Sequence, residues 1–400
     1  MRRTPIAHVI FPRHSLEIPV PTFAMDAARM MAAVPDLELE ILMPLPVRAL
    51  RKVQDRSRIA QGARAWPEGI DEVLAKLEPR PTLIPYVPVP RRSVESAAVA
   101  ISAALLLKKK ADRPRVITGT FLDEGGVAAV AIARALSAKS IAVACGSDAR
   151  SLIQDPHTPN RVMAKRSKET VDHADALVAV SEDLAKILDR FGRTATVVHF
   201  TADPKRFPWT PLPSGPKVVL FVGRLSMDKG VDLLLEAFAR IQDKAAVLHL
   251  VGARAPDLDV EAETLRLGIS ERVKLIGELR HWEPALPEAY QKASCFVLPS
   301  RAEGFPAVLI EALLSGRPVV ATDVGGVKEI VNAKRGVGAL VEKDNVGALT
   351  RALDAVLSDC EQGLWDPAKL HDYALPMSWA GSLPRLEKLT RRLIAEAEQP

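Results

Sequence analysis

The chain has 400 residues, 48% of them apolar, 26% charged and only 4% aromatic, with a formal net charge of +5. That length exceeds one ordinary hydrophobic core, so two domains of roughly 150–200 residues are expected, and the composition excludes a disordered chain. The three cysteines, Cys145, Cys295 and Cys360, lack any CxxC or Cys/His spacing, which argues against a disulfide framework or a zinc site and suits a reducing cytoplasm.

The opening MRRTPIAHVIFPRH is basic, but its apolar run stops at Pro12, too short for a signal peptide or a membrane span. Strands are predicted at 7–11 (AHVIF), 37–42 (LELEIL), 82–87 (TLIPYV), 115–119 (RVITG), 140–144 (SIAVA), 176–180 (ALVAV) and 195–200 (ATVVHF). Between them, TFAMDAARMMAAV, SVESAAVAISAALLLKKK, GGVAAVAIARALSA and SEDLAKILDRFG carry helical periodicity. The lysine triplet at 108–110 ends one of these helices and reads as a solvated C-terminus favoured by the macrodipole. Segment 201–217 holds five prolines without periodicity and reads as an interdomain linker. The alternation then resumes from KVVLFVG (217–223) to NVGALTRALDAVLSD (345–359).

The fold class is therefore α/β: two Rossmann-like, doubly wound parallel-sheet domains facing a cleft, with strand carboxyl ends pointing into it. The expected boundaries are 1–203 for the first domain, 204–216 for the linker, 217–377 for the second domain and 378–400 for a last helix. Charge is uneven: residues 1–205 hold 30 Lys and Arg against 23 acids, and the remainder 24 against 26, so the two halves are about +7 and −2 and should meet different partners.

Three stretches of the second half can carry chemistry. In FVGRLSMDKG (221–230), Gly223 lets the chain turn sharply, and Arg224 and Lys229 fall at a strand's carboxyl end beside a helix N-terminus, a setting suited to a phosphate. It is not a Walker loop, since GxxxxGK[ST] is absent, and a plain basic surface loop is the alternative. In RAEGFPAVLIEALLSG (301–316), Glu303 precedes a helix whose first turn suits Pro306, and Glu311 lies in its second turn, with the carboxylates roughly 10 Å apart. That is too wide for a retaining two-carboxylate glycosidase and about the reach of a nucleotide sugar from hexose to ribose. The alternative has Glu303 as a charge favoured by the helix dipole and Glu311 on the helix's wet edge. In PVVATDVGGVKEIV (318–331), Gly325 and Gly326 permit close backbone approach to phosphate oxygens or form a plain turn.

GRLSMDKG, EGFPAVLIEAL and the Val-Gly-Gly-Val segment, in that order and spacing, resemble the donor domain of retaining glycosyltransferases of family 4, which have the GT-B fold. FLDEGGVAAVAIARAL, CGSDARSLI and HADALVAVSEDLAKIL are similar to the family's acceptor-domain segments, so the resemblance spans about residues 115–380. It implies transfer of a hexosyl residue from a UDP- or GDP-linked sugar to a hydroxyl of a glycan, glycolipid or lipid-linked acceptor, with anomeric retention and no metal or other cofactor. It also implies that Arg224 and Lys229 contact the diphosphate, that Glu311 accepts from the ribose hydroxyls and that Glu303 holds the sugar. Glu303, Arg224 and Lys229 are then the catalytic set, and Gly223, Gly304, Phe305 and Pro306 line the donor. The last helix is expected to pack back on the first domain.

Asp257-Leu258-Asp259 has the spacing of a metal-binding DxD, but it opens a helix, where acids suit the macrodipole. On the acceptor side the candidates are Cys145, Asp148, Asp123 and His14. Many family members have His where Cys145 stands, the first loop (11–23) lacks the family's glycine pair, and FTADPKRF (200–207) replaces its Asn-Gly-Val-Asp turn. Asp123 and Glu124 could position an acceptor hydroxyl or cap a helix. The basic segment 48–64, with Arg91-Arg92 and the lysine triplet, could rest on anionic lipid at the inner face of a membrane, or be solvated surface. Nucleic acid is not expected, because the basic residues are not interleaved with aromatics. Two rival readings are a non-catalytic glycosyltransferase-like subunit, suggested by Cys145 and the altered first loop, and a GT-B sugar-nucleotide epimerase.

Overall fold

The computed structural model describes residues 3–10, 22–46, 82–86, 99, 101–103, 105–107, 113–154, 160–331 and 336–399. The chain forms two units: Met1–Phe200 with Leu383–Pro400, and Thr201–Ser382.

Unit 1 contains β1 (Thr4–Val9), α1 (Thr22–Ala32), β2 (Leu37–Pro46), β3 (Thr82–Tyr86), β4 (Val116–Thr120), α2 (Val127–Leu136), β5 (Lys139–Ala144), α3 (Arg161–His173), β6 (Ala176–Ala179), α4 (Glu182–Asp189) and β7 (Ala195–Val197). Its seven strands run in the order β3-β2-β1-β4-β5-β6-β7, with parallel pairing throughout. Helices on both faces leave β4 and β6 wholly buried, which is why these strands read as continuous apolar runs and not as alternation. Buried Val99, Ala103 and Leu107, four residues apart, pack one helical stripe against Ala7, Val9 and Ile117. The order reverses between β1 and β4, the kind of switch point beside which such sheets bind ligands.

Unit 2 repeats the plan with β8 (Val218–Val222), α5 (Val231–Arg240), β9 (Val247–Val251), α6 (Val260–Arg266), β10 (Val273–Gly277), α7 (Ala285–Lys292), β11 (Cys295–Leu298), α8 (Ala307–Leu314), β12 (Val319–Thr322), α9 (Val327–Ile330), β13 (Gly338–Val341), α10 (Val346–Glu361) and α11 (Pro367–Ala374). The six strands run β10-β9-β8-β11-β12-β13, all parallel, and the switch lies between β8 and β11. The last helix, α12 (Trp379–Glu398), begins in unit 2, where the Trp379 indole N–H donates to Thr201 O at 2.9 Å. Its later turns belong to unit 1, where Leu386, Leu389 and Leu393 are buried and Arg391 donates to Pro35 O at 2.9 Å.

The proline-rich segment after Thr201 is packed on unit 2. Phe207 is buried and meets Tyr290 edge to face, with ring centroids 5.6 Å apart. Arg317, with 0% exposure, donates from Nη2 to Thr210 O at 2.7 Å and to Pro211 O at 3.1 Å, and from Nη1 to Ala293 O at 3.3 Å. Burial lowers its pKa to about 10, and backbone carbonyls take the place of a carboxylate partner.

Candidate functional site

The loop after β8 is shaped by two glycines. Gly223 has φ +154 and Gly230 has φ +67, and a Cβ on Gly230 would stand 2.0 Å from Pro299 O, so only glycine lets the loop close against the end of β11. The loop donates from Leu225 N to Ala253 O at 2.8 Å and from Met227 N to Asp257 Oδ2 at 3.2 Å. It carries Arg224 and Lys229, as the sequence predicts.

Each cation meets a carboxylate. Arg224 Nη2 lies 2.8 Å from Asp228 Oδ2, with both side chains about half exposed. Partial burial would raise the Asp228 pKa, yet the Ser226 hydroxyl and the charges of Arg224 and Lys229 bring it below the usual carboxylate range. Lys229 Nζ lies 2.7 Å from Glu303 Oε1, and the Ser300 hydroxyl donates to the same oxygen at 2.6 Å. Ser300 is fixed in turn, because the Thr322 hydroxyl donates to its carbonyl at 2.5 Å. The carboxyl ends of β8, β11 and β12 thus converge on one carboxylate.

Residues Gly304, Phe305 and Pro306 lead from Glu303 into α8, whose N-cap is Pro306. Gly326 N donates to Gly304 O at 3.1 Å, so the paired-glycine turn before α9 supports this segment, and Gly325 takes φ +51 there. Glu311 is only 4% exposed, which overturns the wet-edge alternative. Its Oε2 accepts from the Tyr290 hydroxyl at 2.6 Å. Burial, then the adjacent carboxylate, pushes the Tyr290 pKa well up and keeps the phenol a neutral donor.

The acids of the DxD segment have backbone roles. Asp259 is the N-cap of α6, accepting from Ala262 N at 3.0 Å, and Asp257 accepts from the Arg224–Lys229 loop. Among the described residues no cluster of three or more His, Cys, Asp or Glu could hold a metal ion.

In unit 1, Asp123, Cys145 and Asp148 gather at the ends of β4 and β5, whereas His14, segment 48–64, Arg91-Arg92 and Lys108–Lys110 lie outside the described residues. Asp123 and Glu124 sit in a π-helical turn, Phe121–Gly126, in place of an ordinary cap. This turn is tight: Cβ atoms on Gly119 or Gly125 would approach backbone oxygens to 2.1 and 2.2 Å, and Phe121 has φ +65. Fully buried Asp148 accepts from Leu122 N at 2.8 Å, Cys145 N at 3.1 Å and Gly146 N at 2.7 Å, bracing the two strand ends together. Burial raises its pKa against the pull of these N–H groups. Cys145 Sγ donates to Val143 O at 3.4 Å.

Sequence reasoning missed Tyr290, Ser300, Asp228 and Arg301. Ser300 and Arg301 stand just before Glu303, and Asp228 stands between Arg224 and Lys229, which are local signals, whereas the partners of Tyr290 and Arg301 are distant in sequence.

Residues 216–359 match the family model described as glycosyl transferases group 1. The D-inositol 3-phosphate glycosyltransferase 1 of Catenulispora acidiphila is 32% identical over 195 residues, 46% of this chain and 46% of the relative. The D-inositol 3-phosphate glycosyltransferase of Corynebacterium urealyticum is 30% identical over 261 residues, 58% of this chain and 60% of the relative. The lipopolysaccharide core biosynthesis mannosyltransferase LpsB of Rhizobium meliloti is 31% identical over 211 residues, 48% of this chain and 58% of the relative. The chain thus spans about half the length of the curated relatives it matches. Among solved structures, sucrose-phosphate synthase from Thermosynechococcus elongatus superposes with a TM-score of 0.73 at 18% identity, covering 98% of this chain and 100% of that one. HepE of Anabaena, in complex with UDP and glucose, gives 0.70 at 17% identity, covering 98% of this chain and 100% of that one. At such identities the likeness is one of fold. Over residues 216–359 the chain is thus similar to the glycosyl transferases group 1 model, and the chain has the GT-B fold.

Proposed function

We propose that the protein is a glycosyltransferase that takes a hexosyl residue from a nucleotide-diphosphate sugar and transfers it, with retention of anomeric configuration, to a hydroxyl of a glycan or lipid-linked acceptor. The observation that carries this reading is the convergence of Arg224, Lys229, Ser300 and Glu303 at the carboxyl ends of β8 and β11, with Glu311 buried in the helix that follows. Relatives named as inositol-phosphate glycosyltransferases and as a lipopolysaccharide mannosyltransferase, and a fold neighbour bound to UDP and glucose, support it.

Arg224 and Lys229 neutralise the charge that grows on the leaving diphosphate as the glycosidic bond breaks. Lys229 exchanges its ion pair with Glu303 for one with phosphate, which frees Glu303 to hold the sugar hydroxyls. The acceptor hydroxyl attacks from the face that the diphosphate leaves; the bond from the sugar to the diphosphate breaks, and the departing phosphate oxygen takes the hydroxyl's proton, so no protein base is needed. Glu311 accepts from the ribose hydroxyls, held in place by the Tyr290 hydroxyl. Unit 1 takes the acceptor, and the turn bearing Asp123 and the segment 145–148 are its candidate groups.

Because cationic side chains carry the leaving-group charge, the reaction needs no divalent cation. Incubation with UDP- and GDP-hexoses and a panel of glycan and lipid-linked acceptors, followed by proton NMR of the product, should show the donor's anomeric configuration, at an equal rate in EDTA. Inverted product, or activity abolished by EDTA and restored by Mn²⁺, would refute this account.

A further inference from the structure

We propose that Arg301 is a positioning residue that holds the Arg224–Lys229 loop in the shape that receives the diphosphate, without touching the diphosphate itself. This rests on the reading of Arg224 and Lys229 as the diphosphate-binding cations.

Arg301 stands between β11 and Glu303 and grips the loop twice. Its backbone N–H donates to Asp228 O at 2.9 Å, and its Nη1 donates to Met227 O. Both contacts fall on residues between the two cations. The guanidinium is itself anchored on both sides. Nη1 and Nη2 each donate at 2.8 Å to a carboxylate oxygen of Asp232 in the first turn of α5, and Nε donates at 2.8 Å to Asp344 Oδ1 in the loop between β13 and α10. Asp344 has φ +58, a left-handed conformation that Asp tolerates better than most residues and that persists where surrounding contacts fix it.

Four of the five guanidinium N–H groups are therefore committed, to two carboxylates and a carbonyl. The hydrogen bond to Asp232, the largest influence, holds the pKa of Arg301 above its usual range. A cation so engaged has little left for an anion, whereas Arg224 is half exposed and Lys229 has one carboxylate to exchange. The bidentate grip on Asp232 also requires a planar fork, which lysine does not provide.

The test is calorimetric titration of the full chain with UDP, uridine, GDP and guanosine. For each base the ratio of the nucleoside Kd to the nucleoside diphosphate Kd reads what the diphosphate adds. Arg301→Ala should lower this ratio about tenfold, the equivalent of one partly buried charged hydrogen bond, with Arg301→Lys nearly as low and nucleoside binding unchanged. Asp344→Asn separates positioning from direct contact. Positioning predicts a lower ratio because the clamp loosens, whereas direct contact predicts a higher one because a cation is released. A ratio unchanged in Arg301→Ala, or raised in Asp344→Asn, overturns the proposal. Lys229→Ala is the control: if it leaves the ratio unaltered, the diphosphate reading itself fails, and this proposal with it. Should Arg301→Ala lose nucleoside binding as well, Asp344→Asn alone decides by the sign of its change.

Discussion

Glu311 and Tyr290 show how a candidate site residue gains a partner that its neighbours in sequence do not announce. The sequence places Glu311 on an apolar helix eight positions after Glu303, a spacing that marks it as unusual, and Tyr290 lies two elements earlier on α7. Tyr290→Phe removes the phenol that donates to a buried carboxylate and should cost about 2 kcal/mol of stability. Combined with Glu311→Gln, the loss should be clearly less than the sum of the two, because both changes remove one hydrogen bond. Additive losses in denaturant unfolding would show the two side chains to be uncoupled. His8 supplies a second prediction. Its imidazole is buried, Nδ1 lies 2.5 Å from the Thr118 hydroxyl, and burial lowers its pKa to about 3. Because the folded value lies below the ordinary 6.5, folding favours the neutral ring. The stability this confers is complete above pH 6.5 and is lost as pH falls towards 3, at up to about 1.4 kcal/mol per pH unit. His8→Leu should flatten the fall in stability between pH 6.5 and 5, leaving a residual slope from His199 and His249, which burial also shifts down. A slope equal to that of the wild type would place the loss elsewhere.

At the scale of elements, most strands were legible because parallel strands covered on both faces must be apolar and β-branched. Their ends were less so. The segment 195–200 reads as one strand, but β7 stops at Val197 at the sheet edge. FLDEGG reads as a loop whose acids could cap the next helix, and folds as a π-helical turn, since its glycines allow contacts that no side chain would permit. The segment after Phe200 reads as a linker on its prolines alone. What it leans on is Arg317, more than a hundred residues later, and a pairing so distant leaves no local pattern. Arg317→Met should strip Thr210, Pro211 and Ala293 carbonyls of their donor and cost about 3 kcal/mol. Hydrogen exchange at the Thr210 amide, which donates to Ser315 O at 3.4 Å, should then quicken by about two orders of magnitude if the opening is local. Unchanged exchange would mean that the prolines hold the segment by themselves.

For the whole molecule, the order of elements, their two-fold repetition and the three motifs of the second half point to one chemistry. Cations and carboxylates supplied by separate strand ends meet at the end of β11 in unit 2. The base of the nucleotide is not legible, because recognition of a base through backbone groups leaves little trace in residue identity. The central claim is that this constellation binds a nucleoside diphosphate, and thermal unfolding of the full chain with UDP, GDP and ADP, beside Glu311→Ala, tests it most directly. A ligand present at about a hundred times its Kd adds roughly 2.7 kcal/mol to the native state. One base should raise the wild-type transition clearly and the variant's little or not at all. No shift with any nucleotide, or equal shifts in both proteins, would contradict the claim.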